Sequence, residues 1–210
     1  MYKIVLAVCC YCFAFSTWAQ TSTPTQASTQ TQARHTNNTQ QLISAAIEQT
    51  HSRVRYNGTY FKIAYPNGDV PAEFGVCTDV VIRAYRKLNI DLQQLVHEDI
   101  RKSFALYPAK RNWGQTKPDT NIDHRRVPNL QKFFTRYGTA VPVTTNGGDY
   151  KPGDLVTWMV SGNLPHIGIV VDRKSDDGER PLIVHNIGAG PQLEDMLFEF
   201  KITGHYRYGL

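Results

Sequence analysis

Gly75-Val76-Cys77-Thr78-Asp79-Val80-Val81-Ile82-Arg83-Ala84-Tyr85-Arg86-Lys87-Leu88 is the stretch from which the rest of the chain can be read. Cys77, Val80, Val81, Ala84, Tyr85 and Leu88 recur at the i, i+3, i+4, i+7, i+8, i+11 spacing of one helical face. Arg83, Arg86 and Lys87 gather toward the far end, where cations favour the helix dipole, and Asn89 stops the helix. Cys77 stands in the first turn and on the apolar stripe. A sulfur placed there faces the body of the protein, near unpaired backbone N–H groups and the positive end of the dipole. That setting lowers a thiol pKa and supplies thiolate near neutral pH. A buried, inert core cysteine fits the same position, because free cysteine is among the most buried residue types.

Working outward, helical spacing predicts a first helix over about Thr39 to Val54, with Leu42, Ile43, Ala46, Ile47 and Thr50 on one face. Thr59 to Tyr65 reads as a strand or an extended piece, closed by the turn Pro66-Asn67-Gly68-Asp69. A third helix covers roughly Leu92 to Phe104. A fourth starts at Pro128, with Leu130, Phe133, Phe134 and Tyr137 on one face and Gly138 as its stop. After Gly138 the period changes from helical to alternating. Strands are expected over Leu155 to Val160, Pro165 to Asp172, Pro181 to Ile187 and within Phe198 to Tyr208, with a hairpin loop at Ser175 to Glu179. Helices first and strands later indicate an α+β fold, with N-terminal helices packed on a C-terminal antiparallel β-sheet. Residues 42–210 form the domain, and no internal repeat interrupts them.

Composition sets the class. The chain has 210 residues, 23 Lys+Arg against 18 Asp+Glu, 41% hydrophobic and 20% charged residues. These values suit one globular domain and exclude a fully disordered chain, a coiled coil and a multi-pass membrane protein. The excess of positive charge is mild. No Lys/Arg run is interleaved with aromatics, so nucleic acid is not an expected partner. Residues 1–19 read as a secretory signal: Lys3, the apolar run Ile4 to Phe15, and small residues ending at Ala19. The run is shorter than the ~20 residues of a spanning helix, so no membrane span is expected after cleavage. An uncleaved anchor and a lipoprotein signal at Leu6-Ala7-Val8-Cys9 are the alternatives. Cleavage removes Cys9, Cys10 and Cys12 and leaves Cys77 as a lone thiol in an oxidising, periplasmic or extracellular setting. Residues 20–41, rich in Thr, Gln, Ser and Asn, are expected to be a disordered tether.

Two histidines complete a chemical set with Cys77. His166 opens a strand and shares a face with Gly168 and Val170. Deprotonating a thiol needs a base titrating near working pH, and imidazole supplies it. His185, in Leu182-Ile183-Val184-His185-Asn186-Ile187, alternates with apolar neighbours, and hairpin pairing brings it beside the strand of His166. A third polar group is needed to fix the tautomer of the base. Asn186 is the rival for that role, but alternation sends it to the opposite face.

Val76-Cys77-Thr78-Asp79-Val80-Val81, Lys151-Pro152-Gly153-Asp154-Leu155-Val156, His166-Ile167-Gly168-Ile169-Val170-Val171 and Ile183-Val184-His185 follow one another in order. The series resembles the NlpC/P60 cysteine peptidases, a papain-like group. The closer resemblance, over about Leu42 to Leu210, is to the bacterial family DUF1287. Its signature is matched by Gly75 to Val81, by Asp119-Thr120-Asn121-Ile122-Asp123-His124-Arg125-Arg126-Val127-Pro128-Asn129-Leu130, and by Thr203-Gly204-His205-Tyr206-Arg207-Tyr208. The resemblance implies a papain-like NlpC/P60-type fold and a catalytic order of Cys77, His166 and His185. It also places Tyr65 near the oxyanion site. Val76 stands where the NlpC/P60 pattern has an aspartate, and Thr78-Asp79 where it has Ser-Gly.

The expected activity is an exported, cysteine-dependent amide hydrolase. By resemblance its substrate is a stem or cross-link peptide of peptidoglycan, no cofactor is needed, and the protein is a monomer. Acyl transfer on the same triad differs only in water exclusion. The contrasting reading is a catalytically silent cell-wall binding or assembly protein using the same cleft. In the segment 119–126, Asp123, His124, Arg125 and Arg126 are candidate substrate contacts, the two arginines as carboxylate clamps. A polar loop leading into the Pro128 helix is the plain alternative. No zinc-type ligand spacing is present there, so no metal is expected.

Overall fold

The computed structural model describes residues 24–210, and the expected signal sequence lies outside them. Five α-helices are described: α1 (Pro24–Gln49), α2 (Cys77–Arg86), α3 (Leu92–Ser103), α4 (Ala109–Trp113) and α5 (Val127–Tyr137). The short strands β1 (Arg55–Tyr56) and β2 (Phe74–Gly75) pair in parallel just ahead of α2. Strands β3 (Thr139–Ala140), β4 (Leu155–Val160), β5 (Leu164–Lys174), β6 (Pro181–His185), β7 (Gln192–Glu194) and β8 (Lys201–Arg207) form one antiparallel sheet in the order β3-β8-β4-β5-β6-β7. Helices precede the large sheet in the chain, and the α+β architecture is as expected.

Alternation along the strands divides the sheet into two faces. Leu155, Ile167, Ile169, Val171, Val184 and Tyr206 meet the helices, where Leu42, Val80, Val81, Tyr85, Leu130 and Phe134 close the main core. Val156, Trp158, Val160, Val170 and Ile183 point the other way, under Met196 and Leu197. The Trp158 indole donates to the Leu197 carbonyl at 2.9 Å, so the segment between β7 and β8 is tied down over that second face.

One expectation fails. Residues 24–41 are the first part of a continuous helix, where a disordered tether was expected; residues 20–23 lie outside the described residues. The packed part of α1, with Leu42, Ile43, Ala45 and Ala46 buried, supplies the costly nucleus, and propagation outward fixes one residue per hydrogen bond gained. The hydroxyls of Thr31 and Thr36 donate back to the carbonyls of Ala27 and Gln32 within that extension. The stretch Thr59 to Tyr65, read as a strand or an extended piece, pairs into neither sheet. Its backbone is served by side chains instead: Asn121 accepts the Ile63 N–H at 2.9 Å, and Gln93 donates to the Ala64 carbonyl at 2.8 Å.

Candidate active site

The start of α2 is built from behind. Val76 offers no capping side chain, so Asp79 reaches back and accepts the Val76 N–H at 2.7 Å. Asp79 also receives Arg125 through two bonds, Nε to Oδ1 and Nη2 to Oδ2, both at 2.9 Å. Asn186 donates to the Gly75 carbonyl at 3.2 Å from the end of β6. Thr78 donates to the Arg125 carbonyl at 3.2 Å. The Thr78-Asp79 pair, which stands in place of the NlpC/P60 Ser-Gly, is therefore a brace for the first turn of the helix.

Cys77 is buried, and the backbone N–H groups of Ile167, Thr78 and Cys77 bear on its sulfur and favour its ionised form. The β5–β6 register runs through Ile169↔Val184 and Val170↔Ile183, so β6 no longer covers β5 at Ile167. The thiol thus meets β5 at the amide that follows His166. His166 leaves the strand on the face of Val170 and Trp158, with its ring 6.0 Å from the indole. Cys77 belongs with Ile167 to the core on the helix side of the sheet, whereas His166, the preceding residue of β5, leaves from the opposite face.

His166 Nε2 lies 3.0 Å from His185 Nδ1, and the two rings stand almost perpendicular at 88°. His185 Nε2 lies 2.8 Å from Glu194 Oε2 on β7. Gly168 makes the meeting possible. A Cβ at 168 would stand 2.6 Å from Ile183 Cγ2 and 3.0 Å from the Val184 carbonyl oxygen, between the two histidine-bearing strands.

Burial governs the electrostatics. It pushes the Cys77 thiol up to about 12, with the Asp79 carboxylate adding to the rise and the three N–H groups opposing it. His166 is pushed down to about 3, by burial first and by His185 second. The expectation of a thiolate at neutral pH is therefore corrected: depth outweighs the helix end, and the resting groups are neutral thiol and neutral imidazole. Burial also lowers His185, while Glu194 pulls it upward.

The remaining site candidates are distributed differently from the expectation. Tyr65 packs edge-on against His97 of α3, 5.2 Å between centroids, and its shift arises from burial, Glu98, Arg101 and Asp91. Tyr56 is the tyrosine within electrostatic reach of Cys77. Arg125 is not a free clamp, because its donors are spent on Asp79 and, more weakly, on the Thr59 carbonyl. Arg126 lies 4.0 Å over the Trp113 ring and donates to Gln115 at 2.7 Å. Asp123 is buried and accepts Gln115 Nε2 and the Asp119 N–H. His124 is buried with its Nδ1 unpartnered, and burial together with Arg125 and Arg86 lowers it to about 3. The segment 119–126 thus braces the floor behind the helix start. Glu194 was not singled out in the sequence; only its place in Gln192-Leu193-Glu194, opposite Ile183-Val184-His185, reveals it.

Residues 43–208 match the family described as "Domain of unknown function (DUF1287)". The chain belongs to that family. The chain is 51% identical over 167 residues to "Uncharacterized protein YijF" of Escherichia coli (strain K12), covering 80% of each. Among solved structures it is similar to an N-acetylmuramoyl-L-alanine amidase from Bacteroides uniformis, at 13% identity and TM-score 0.48, over 81% of this chain and 97% of that one. It is also similar to NlpC1 from Trichomonas vaginalis, at 13% identity and TM-score 0.44, over 81% of this chain. This chain spans only 44% of that longer protein.

Proposed function

We propose that this DUF1287 protein is an exported thiol amidohydrolase that cleaves peptide bonds of peptidoglycan with Cys77, His166 and His185. One observation supports the reading: His166, backed by His185 at 3.0 Å, stands on β5 next to Ile167, whose N–H bears on the buried Cys77 sulfur that opens α2. His185 occupies Nε2 of His166, so Nδ1 is the nitrogen left for the thiol.

Since both resting groups are neutral, proton transfer accompanies attack. As the sulfur bonds to the substrate carbonyl carbon, His166 Nδ1 takes the thiol proton. The developing oxyanion is met by backbone N–H groups at the start of α2, those of Cys77 and Thr78. Collapse of the tetrahedral adduct breaks the C–N bond, and His166 returns the proton to the leaving amine. Water then attacks the thioester with His166 again as base, releasing the acid and restoring the thiol. His185 orients His166 throughout and stabilises its transient positive charge.

The test is digestion of purified peptidoglycan by the native protein and by Cys77→Ala, with the fragments weighed by mass spectrometry. New amine and carboxylate ends from the native protein alone are expected. Equal digestion by both would remove the proposal. The second reading, a silent cell-wall binding protein, is favoured by the depth of the thiol and its high pKa. It predicts retention on peptidoglycan with no fragments released by either protein.

A further inference from the structure

The structure assigns Glu194 as the residue that sets the proton positions on both histidines, and thereby makes His166 a base toward Cys77. This inference deepens the hydrolase proposal and rests on it for its catalytic consequence. The argument follows from donor and acceptor counting. A carboxylate presents lone pairs only. At 2.8 Å from Glu194 Oε2, His185 Nε2 must therefore carry hydrogen. A neutral imidazole has one donor and one acceptor nitrogen, so His185 Nδ1 is then a bare acceptor. At 3.0 Å from that acceptor, His166 Nε2 must carry hydrogen in turn. The same rule leaves His166 Nδ1 with a free lone pair, which is the form that can remove a thiol proton. Reversing the first bond would reverse each later one and leave the hydrogen on His166 Nδ1.

Place and geometry fit a positioning residue. Glu194 lies on β7, two strands from His166, and its hydrogen bond is to His185. The His185 ring is almost wholly buried, whereas the Glu194 side chain is 49% exposed. The relay therefore runs from the protein surface to the buried imidazole of His166. Within it Glu194 is the one member unable to donate, so it alone gives the chain of bonds a direction. Glu199 also acts electrostatically on His185, but the hydrogen-bonded carboxylate is that of Glu194.

Glu194→Gln is the informative variant, because an amide keeps the shape yet can donate to His185 Nε2. Long-range 1H–15N spectra of the imidazole nitrogens at pH 7 read the tautomers directly. In the native protein His166 and His185 are both expected to carry hydrogen on Nε2. In Glu194→Gln both signals should move toward the Nδ1–H form. Turnover on peptidoglycan peptides should fall roughly 10- to 100-fold with KM little changed. Glu194→Asp, which keeps an acceptor, should restore the native tautomers and part of the turnover. A merely structural role would not move the nitrogen spectrum. A native His166 carrying hydrogen on Nδ1, or tautomers unaltered by Glu194→Gln, would overturn the assignment. If the tautomers respond while no peptidoglycan is cleaved, the relay stands and the hydrolase proposal falls.

Discussion

Asp79 and Arg125 face each other across the interior as a two-point ion pair, both side chains almost wholly removed from water. Removing one member leaves a buried charge without its partner. Arg125→Ala should cost about 3–5 kcal/mol of stability, read as a lowered urea midpoint with an unchanged slope. A substrate clamp would behave oppositely, with KM raised and the midpoint intact.

The thiol of Cys77 keeps its proton to about pH 12 in the folded chain, whereas an ordinary thiol releases it near 9. Alkylation by iodoacetamide should therefore be slower than for free cysteine at pH 7 and should climb well past pH 9. Stability follows the same sign. Between the two values the unfolded chain gives up a proton that the folded chain holds. Stability thus falls as pH rises above about 9, by up to ~1.4 kcal/mol per unit. Cys77→Ala should flatten that alkaline decline in urea titrations.

Acid acts through the imidazoles. Burial, with His185 in one case and Arg125 and Arg86 in the other, holds His166 and His124 at about 3 against an ordinary 6.5. Below pH 6.5 the unfolded chain takes up protons that these rings refuse in the folded chain. Their contribution to stability is full above 6.5 and is lost toward pH 3, by up to ~1.4 kcal/mol per unit for each ring. His124→Gln should make the decline between pH 6 and pH 4 markedly shallower, as measured by urea unfolding.

Gly168→Ala tests the closeness of β5 and β6. The added carbon meets Ile183 Cγ2 and the Val184 carbonyl, neither of which can retreat without parting the strands. A loss of about 1–3 kcal/mol is expected. The same variant should lose the low-field proton signal of the His166–His185 bond. Native stability together with an unchanged signal would show that the strands tolerate the methyl group.

Much of this architecture was legible because period carries it. The 3.6-residue stripe of α2 and the alternation of β5 and β6 place Cys77 on the core side and put His166 and His185 on a common face. What period cannot give is depth. The stripe marks the side on which Cys77 lies, but the pKa is set by how much protein closes over the sulfur. Long-range pairing was equally silent: Asp79 meets Arg125 across 46 residues, with no pattern linking them. Glu194 sits in a three-residue strand too short to show alternation. Tyr65 lies in a stretch that the sequence leaves open between a strand and an extended piece, because its course is set by Asn121 and Gln93 from other parts of the chain.

The position of β8 has a bearing on how the protein is made. It lies between β3 and β4, bonded to both, with Thr157 and Thr203 in contact across 46 residues of chain. The β4–β5 hairpin can zip locally, but one flank of β4 stays bare until residues 201–207 arrive. During residue-by-residue emergence from a ribosome or an export pore, that flank is an adhesive ledge for other nascent chains. Holding the chain unfolded until β8 has emerged is therefore an advantage, and delivery across a membrane in extended form would provide it.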